Sequence, residues 1–152
     1  MFCFTGNFMR ILILGMGLMG PTIAKDCCED PLVTRVTGAD IDKSRLNESV
    51  EYVKDSKFDI KELSVLDHEK LVETMKNYDL VIHGTASRFS MNALKAAMEA
   101  KVNIVDLAGG GYPQEGDIYE EVKKAGITAM PGCGVDPGLI DVLSGQAVET
   151  LD

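Results

Sequence analysis

Gly15, Gly17 and Gly20 stand directly behind the aliphatic run Ile11-Leu12-Ile13-Leu14. Glycines in that spacing, between a buried strand and a helix, can bind phosphate. Gly15 takes a tight turn, Gly17 lets the backbone approach a pyrophosphate, and Gly20 lets the helix pack on its strand. The helix start adds free N–H groups and the positive end of a dipole. Leu18 and Met19, inside the same turn, are assigned to the ligand with it. A purely structural turn and a nucleotide methyl-donor site are the alternatives.

Twenty residues beyond Gly20 comes Asp40, at the end of a second apolar run. A carboxylate there can accept hydrogen bonds from an adenosine ribose, with Ile41 beside it. Asp40 and Asp42 together would repel a 2′-phosphate, so NAD is expected over NADP. Lys43 and Arg45 soften that preference. Asp67 follows the third strand and could flank the adenine, or could simply cap a helix whose first turn is acidic. Thr85 and Ala86 follow the fourth strand, where small residues let a ribose or phosphate come close.

The remaining chemistry-bearing residues are read more plainly. His83 ends a buried strand and is expected as a core or near-site histidine rather than a base. Cys133, between two glycines, is expected as a space-filling thiol, since no base is visible beside it. Asp136 before Pro137 reads as an N-cap followed by proline at the first helical position. Asp106 and the glycines from Gly109 to Gly111 end the fifth strand, where backbone can approach a ligand. Asp106 could orient an amine or an amide, and Asp106 and Gly109 are assigned to the dinucleotide. No catalytic residue is assigned.

These residues need a scaffold that brings them to one rim. Strands are expected at Arg10–Leu14, Val33–Asp40, Phe58–Val65, Leu80–His83, Asn103–Leu107 and Ile127–Met130. Helices are expected at Met19–Asp30, Lys43–Lys54, from Asp67 to about Tyr78, Ser90–Ala100, Glu115–Ala125 and from Pro137 to about Thr150. Strict alternation implies parallel strands joined by right-handed crossovers. The fold class is therefore α/β, a doubly wound Rossmann sheet of six parallel strands in order 3-2-1-4-5-6, with ligands at the carboxyl ends of the strands. Residues 1–8 read as an extension and residues 9–152 as the domain.

Bulk properties narrow the function. The net charge is −9 with no basic block, a poor match to nucleic acid or an anionic membrane. No apolar run approaches the ~20 residues of a membrane span. The four cysteines form no Cys-x-x-Cys pair and only two histidines accompany them. Neither a metal site nor a disulfide framework is expected, which suits a reducing cytoplasm.

The second half carries more specific motifs. Asp79-Leu-Val-Ile-His83, Val105-Asp-Leu-Ala-Gly109 and Met130-Pro-Gly-Cys-Gly-Val-Asp-Pro-Gly-Leu139 follow one another between helical stretches. This series resembles the saccharopine dehydrogenase-like family over nearly the whole chain. Gly15-Met-Gly-Leu-Met-Gly20 and Pro137-Gly-Leu-Ile-Asp-Val-Leu-Ser-Gly145 look most like its lysine 6-dehydrogenase branch. Asp136 departs from that branch, which tends to have an uncharged residue there. The resemblance implies an NAD(P)-dependent oxidoreductase acting on amino-acid C–N bonds. In the lysine 6-dehydrogenase branch, hydride leaves the ε-carbon of lysine for NAD, and the imine hydrolyses or cyclises. It also implies a second α/β domain beyond Asp152 that builds the substrate pocket. The chain is thus expected to be a cofactor domain without its substrate domain or partner chain, and to catalyse little or nothing alone.

Another class is a stand-alone nucleotide-sensing domain of a potassium transporter or channel. It would share the glycine fingerprint but would not need Gly132-Cys-Gly-Val-Asp-Pro-Gly138. A binding protein that has lost its site is a third class. The last helix carries Leu139, Ile140, Val142, Leu143, Ala147 and Val148, more apolar surface than one face needs. Self-association into a homo-oligomer is expected there.

Overall fold

The computed structural model describes residues 8–108 and 118–150. Its strands are β1 (Met9–Leu14), β2 (Val33–Asp40), β3 (Phe58–Glu62), β4 (Leu80–His83), β5 (Asn103–Asp106) and β6 (Ala129–Met130). All pair in parallel, in the order β3-β2-β1-β4-β5-β6. The helices are α1 (Gly20–Glu29), α2 (Lys43–Val53), α3 (His68–Met75), α4 (Ser90–Ala100), α5 (Ile118–Ala125) and α6 (Leu139–Thr150). This is the doubly wound sheet that the alternation predicts.

Two apolar layers explain why β1 does not alternate in sequence. Ile11 and Ile13 face α1 and α2, packing with Ala24, Cys28 and Leu46. Leu12 and Leu14 face the other way, in the cluster that holds Leu71, Met75 and Ala97 of α3 and α4. A strand covered on both faces is apolar at every position.

The parallel register aligns the strand ends. Leu14 lies opposite both Ala39 and His83, and His83 lies opposite Asp106. Hydrogen bonding continues one residue beyond each end. Gly15 N–H donates to the Ala39 carbonyl at 2.7 Å, Gly84 N–H to Leu14 at 2.8 Å, and Leu107 N–H to His83 at 3.1 Å. The chain winds one way from β1 to β3 and the other way from β4 to β6. The crevice between β1 and β4 is therefore where a ligand belongs in this architecture.

Some expected boundaries move. β3 stops at Glu62 rather than Val65, after which Leu63 N–H donates to the Asp40 carbonyl at 3.0 Å. β6 has two residues. α6 opens at Leu139, so Pro137 is not its first residue and Asp136 is not its cap. Gly138 sits at φ +131°, outside helical geometry, and its N–H donates to Asp141 Oδ2 at 3.0 Å. The last helix buries no residue; Val142 and Val148 are 69% and 72% exposed. Among the described residues no helix is long and apolar enough to cross a membrane. Residues 1–7 of the expected extension, Gly109 to Gly111, and the expected helix start at Glu115 lie outside the described residues.

Candidate dinucleotide site

Gly15 turns the chain at φ +98°, a conformation that side chains disfavour. A Cβ there would stand 2.9 Å from both the Gly84 carbonyl oxygen and Thr85 Cγ2. At Gly20 a Cβ would overlap the Gly15 carbonyl oxygen. Both glycines are required by the protein's own packing. Gly17 differs: a Cβ there would meet only Arg45 Nη1, at 3.8 Å. Its missing side chain leaves room on the open side of the turn.

α1 opens directly after that turn, at Gly20. Met19 precedes the helix, no side chain caps it, and its first turn carries no acid. Apart from Pro21, which has no N–H, its leading residues offer amides without an intrahelical or side-chain acceptor, in the arrangement that suits an anion.

Asp40 closes the other wall. Its Oδ2 accepts the Met16 N–H at 2.8 Å and its Oδ1 accepts the Asp42 N–H at 3.0 Å. The carboxylate thus ties the end of β2 to the glycine turn. Asp42 accepts the Ser44 N–H at 2.9 Å, capping α2, and lies 3.6 Å from Arg45 Nε. Lys43 reaches Glu62 at 3.0 Å.

A depression of about 340 Å³ joins the glycine turn to the Asp40 wall; no residue of α1 itself lines it. Gly15, Gly17, Asp40, Ile41, Thr85 and Ala86, all expected at the site, line it together. Leu18 lies on a neighbouring groove between α1 and α2 and is 93% exposed. Met19 sits at the start of α1, and Gly20 is buried behind the turn. Asp67 is not among the lining residues; its Oδ1 accepts the Lys70 N–H at 3.2 Å as the cap of α3. Gly109 lies outside the described residues.

Arg45, expected to soften the cofactor preference, lines the depression; so do Arg88, Phe89 and the segment Leu63 to Leu66, which the sequence did not point to. Arg88 stacks on the Phe89 ring at 4.7 Å. Arg88 and Phe89 follow the small-residue turn after β4, in the short helical turn Ser87–Phe89. The pairing of His83 with Asp106 was also missed. His83 Nδ1 lies 3.0 Å from Asp106 Oδ1, and His83 Nε2 lies 2.6 Å from Thr85 Oγ1. Asp106 is thus a buried supporter of the wall rather than a surface of it.

The thiols stand apart from this chemistry. Burial, reinforced by Asp55, pushes the Cys28 thiol up to about 11. Cys133 directs its sulfur at the Met130 carbonyl, 3.6 Å away. Among the described residues no group of three His, Cys, Asp or Glu side chains is placed to hold a metal ion.

Residues 11–130 match the family model described as the saccharopine dehydrogenase NADP binding domain. The chain belongs to the saccharopine dehydrogenase family. Carboxynorspermidine synthase of Vibrio alginolyticus is 28% identical to it, over 94% of this chain and 40% of that enzyme. The NADP-dependent, L-glutamate-forming saccharopine dehydrogenase of Saccharomyces cerevisiae is 36% identical, over 59% of this chain and 19% of that enzyme. The solved apo structure of an L-glutamate-forming saccharopine dehydrogenase from S. cerevisiae superposes with a TM-score of 0.77 at 22% identity. It covers 93% of this chain and 31% of that one, and shows the shared fold. The chain thus spans well under half the length of these relatives. The family description names NADP, so the expected preference for NAD gains no support from it, and the transporter-sensor alternative gains none either.

Proposed function

We propose that this chain is the dinucleotide-binding part of an NAD(P)-dependent oxidoreductase that acts on an amino-acid C–N bond, as saccharopine and lysine 6-dehydrogenases do. The observation that carries the reading is the glycine turn: α1 opens after it without a side-chain cap, and a Cβ at Gly17 would meet only Arg45 Nη1, at 3.8 Å. The bound dinucleotide would supply the hydride acceptor or donor. The chain's own part is to hold it: backbone N–H groups of the turn against the pyrophosphate, and Asp40, Thr85 and Ala86 along the adenosine half. Exclusion of water and alignment of the reacting carbon need a substrate domain or partner chain beyond these residues. The length of the relatives supports that need. The apolar residues left exposed on α6 are a further proposal, as a surface for that partner or for a second copy.

Cofactor choice is balanced between two sets of side chains. Asp40 favours an unmodified ribose. Arg45 and Arg88 on the same wall favour a 2′-phosphate, and the family description supports NADP. We therefore assign both NAD and NADP as ligands, with affinities within about tenfold of each other, or about 1.4 kcal/mol. Calorimetric titration of the chain with each dinucleotide tests this. Dissociation constants of order micromolar for both are expected. Failure of both to bind overturns the reading of the glycine turn, and a hundredfold preference for either overturns the balance between Asp40 and the arginines.

A further inference from the structure

A buried hydrogen-bond chain runs from the core to the wall of the dinucleotide depression. His83 and Asp106 end the adjacent strands β4 and β5 in register, and are 0% and 1% exposed. Asp106 Oδ1 accepts the Ala108 N–H at 2.8 Å and lies 3.0 Å from His83 Nδ1. His83 Nε2 lies 2.6 Å from Thr85 Oγ1. Thr85 is the outermost member and lines the depression.

The partners' chemistry assigns the protons along this chain. An Asp106 oxygen that already accepts a backbone N–H serves as an acceptor for the ring as well, so Nδ1 carries the ring proton. In a neutral imidazole the other nitrogen then offers a lone pair. The Thr85 hydroxyl must donate inward to Nε2, and only lone pairs remain on its outer side. An unconstrained threonine hydroxyl can rotate to meet a donor or an acceptor. This one can meet only a donor.

We infer that His83 and Asp106 are positioning residues that fix Thr85 as a hydrogen-bond acceptor, so that Thr85 takes an O–H of the dinucleotide's ribose and turns phosphate oxygens away. The polarity of one hydroxyl then sets which part of the ligand lies against the end of β4. Phosphate oxygens are directed to the backbone N–H groups of the glycine turn, and ribose hydroxyls to Thr85. This rests on the dinucleotide reading and adds to it the orientation of the ligand and the role of two residues that never touch it.

Two measurements on the full chain test it. Nitrogen resonances of the ring in ¹⁵N-labelled protein report which nitrogen holds the proton. The chain has two histidines, and His68→Gln identifies those of His83. A protonated Nδ1 and a bare Nε2 are expected; a proton on Nε2 overturns the inference. This readout needs neither a variant at the site nor a bound ligand. Calorimetry with NAD and NADP supplies the second. Thr85→Val keeps the size of the side chain and deletes its oxygen, and is expected to weaken both ligands about tenfold, the worth of one hydrogen bond. Thr85→Ser restores the hydroxyl and is expected to bind within about threefold of wild type. Wild-type affinity in a folded Thr85→Val chain overturns the inference while leaving the dinucleotide reading intact. A wild-type chain that binds neither ligand overturns that reading, and this inference with it.

Discussion

Among the helices that begin at this rim of the sheet, the amino ends of α1, α2 and α3 are treated differently. Asp42 caps α2 and Asp67 caps α3, each carboxylate accepting a backbone N–H of the first turn. α1 has no such cap, and glycine replaces side chains around its start. All three ends carry orphan N–H groups and a partial positive charge, α1 with one donor fewer because Pro21 in its first turn has none. At α2 and α3 the chain satisfies those groups itself. At α1 it leaves them for an outside acceptor. A helix dipole is common to these ends and does not single out α1; α4 too begins without a side-chain cap, and the glycines around its start are what set α1 apart.

Substitutions sharpen that contrast in descending order of effect. Gly20→Ala forces a Cβ into the Gly15 carbonyl and is expected to cost about 3 kcal/mol of stability, lowering the melting temperature by about 10 °C. Melting within about 2 °C of wild type would mean that the turn relaxes freely and that Gly20 is not required by packing. Gly17→Ala adds a Cβ that meets only Arg45 Nη1, at 3.8 Å, so stability should change by no more than about 0.5 kcal/mol. Dinucleotide affinity should fall about thirtyfold, or about 2 kcal/mol, because the side chain enters the room left for the ligand. An unchanged dissociation constant would break the distinction between Gly17 and its neighbours. Asp67→Ala removes a cap and should cost about 1 kcal/mol in chemical denaturation, with no change in dinucleotide affinity. A weakened affinity would return Asp67 to the ligand and make α3 a second binding end.

What was legible in the sequence follows from the range of the forces involved. β1, its glycine turn and α1 are local: a run buried on both faces, then residues whose backbone needs are set by their immediate neighbours. Strand order followed as well, because alternating elements allow few crossovers. The end of β3 and the start of α6 were not legible, since the chain leaves the sheet at the Leu63–Asp40 bond and Gly138 sits outside helical geometry, neither of which periodicity shows. At the site, Gly15, Gly17, Asp40, Ile41, Thr85 and Ala86 were placed on the lining in advance. Arg88 and Phe89 were not, because they reach the depression through a short helical turn at Ser87–Phe89. The joining of His83 to Asp106 was hidden for another reason. Twenty-three residues separate them, and only the lateral register of β4 and β5 makes them neighbours.

Asp40 has a consequence for anyone who would redesign cofactor choice in this fold. The same carboxylate that would meet a ribose also splints the turn, through its bonds to the Met16 and Asp42 amides. Exchanging it to admit a bulkier or more negative ligand would slacken the loop that grips the pyrophosphate. Preference and grip are thus mechanically coupled at one residue. Retuning is better begun at Arg45 or Arg88, which line the same depression through contacts with Asp42 and Phe89 rather than with the glycine turn.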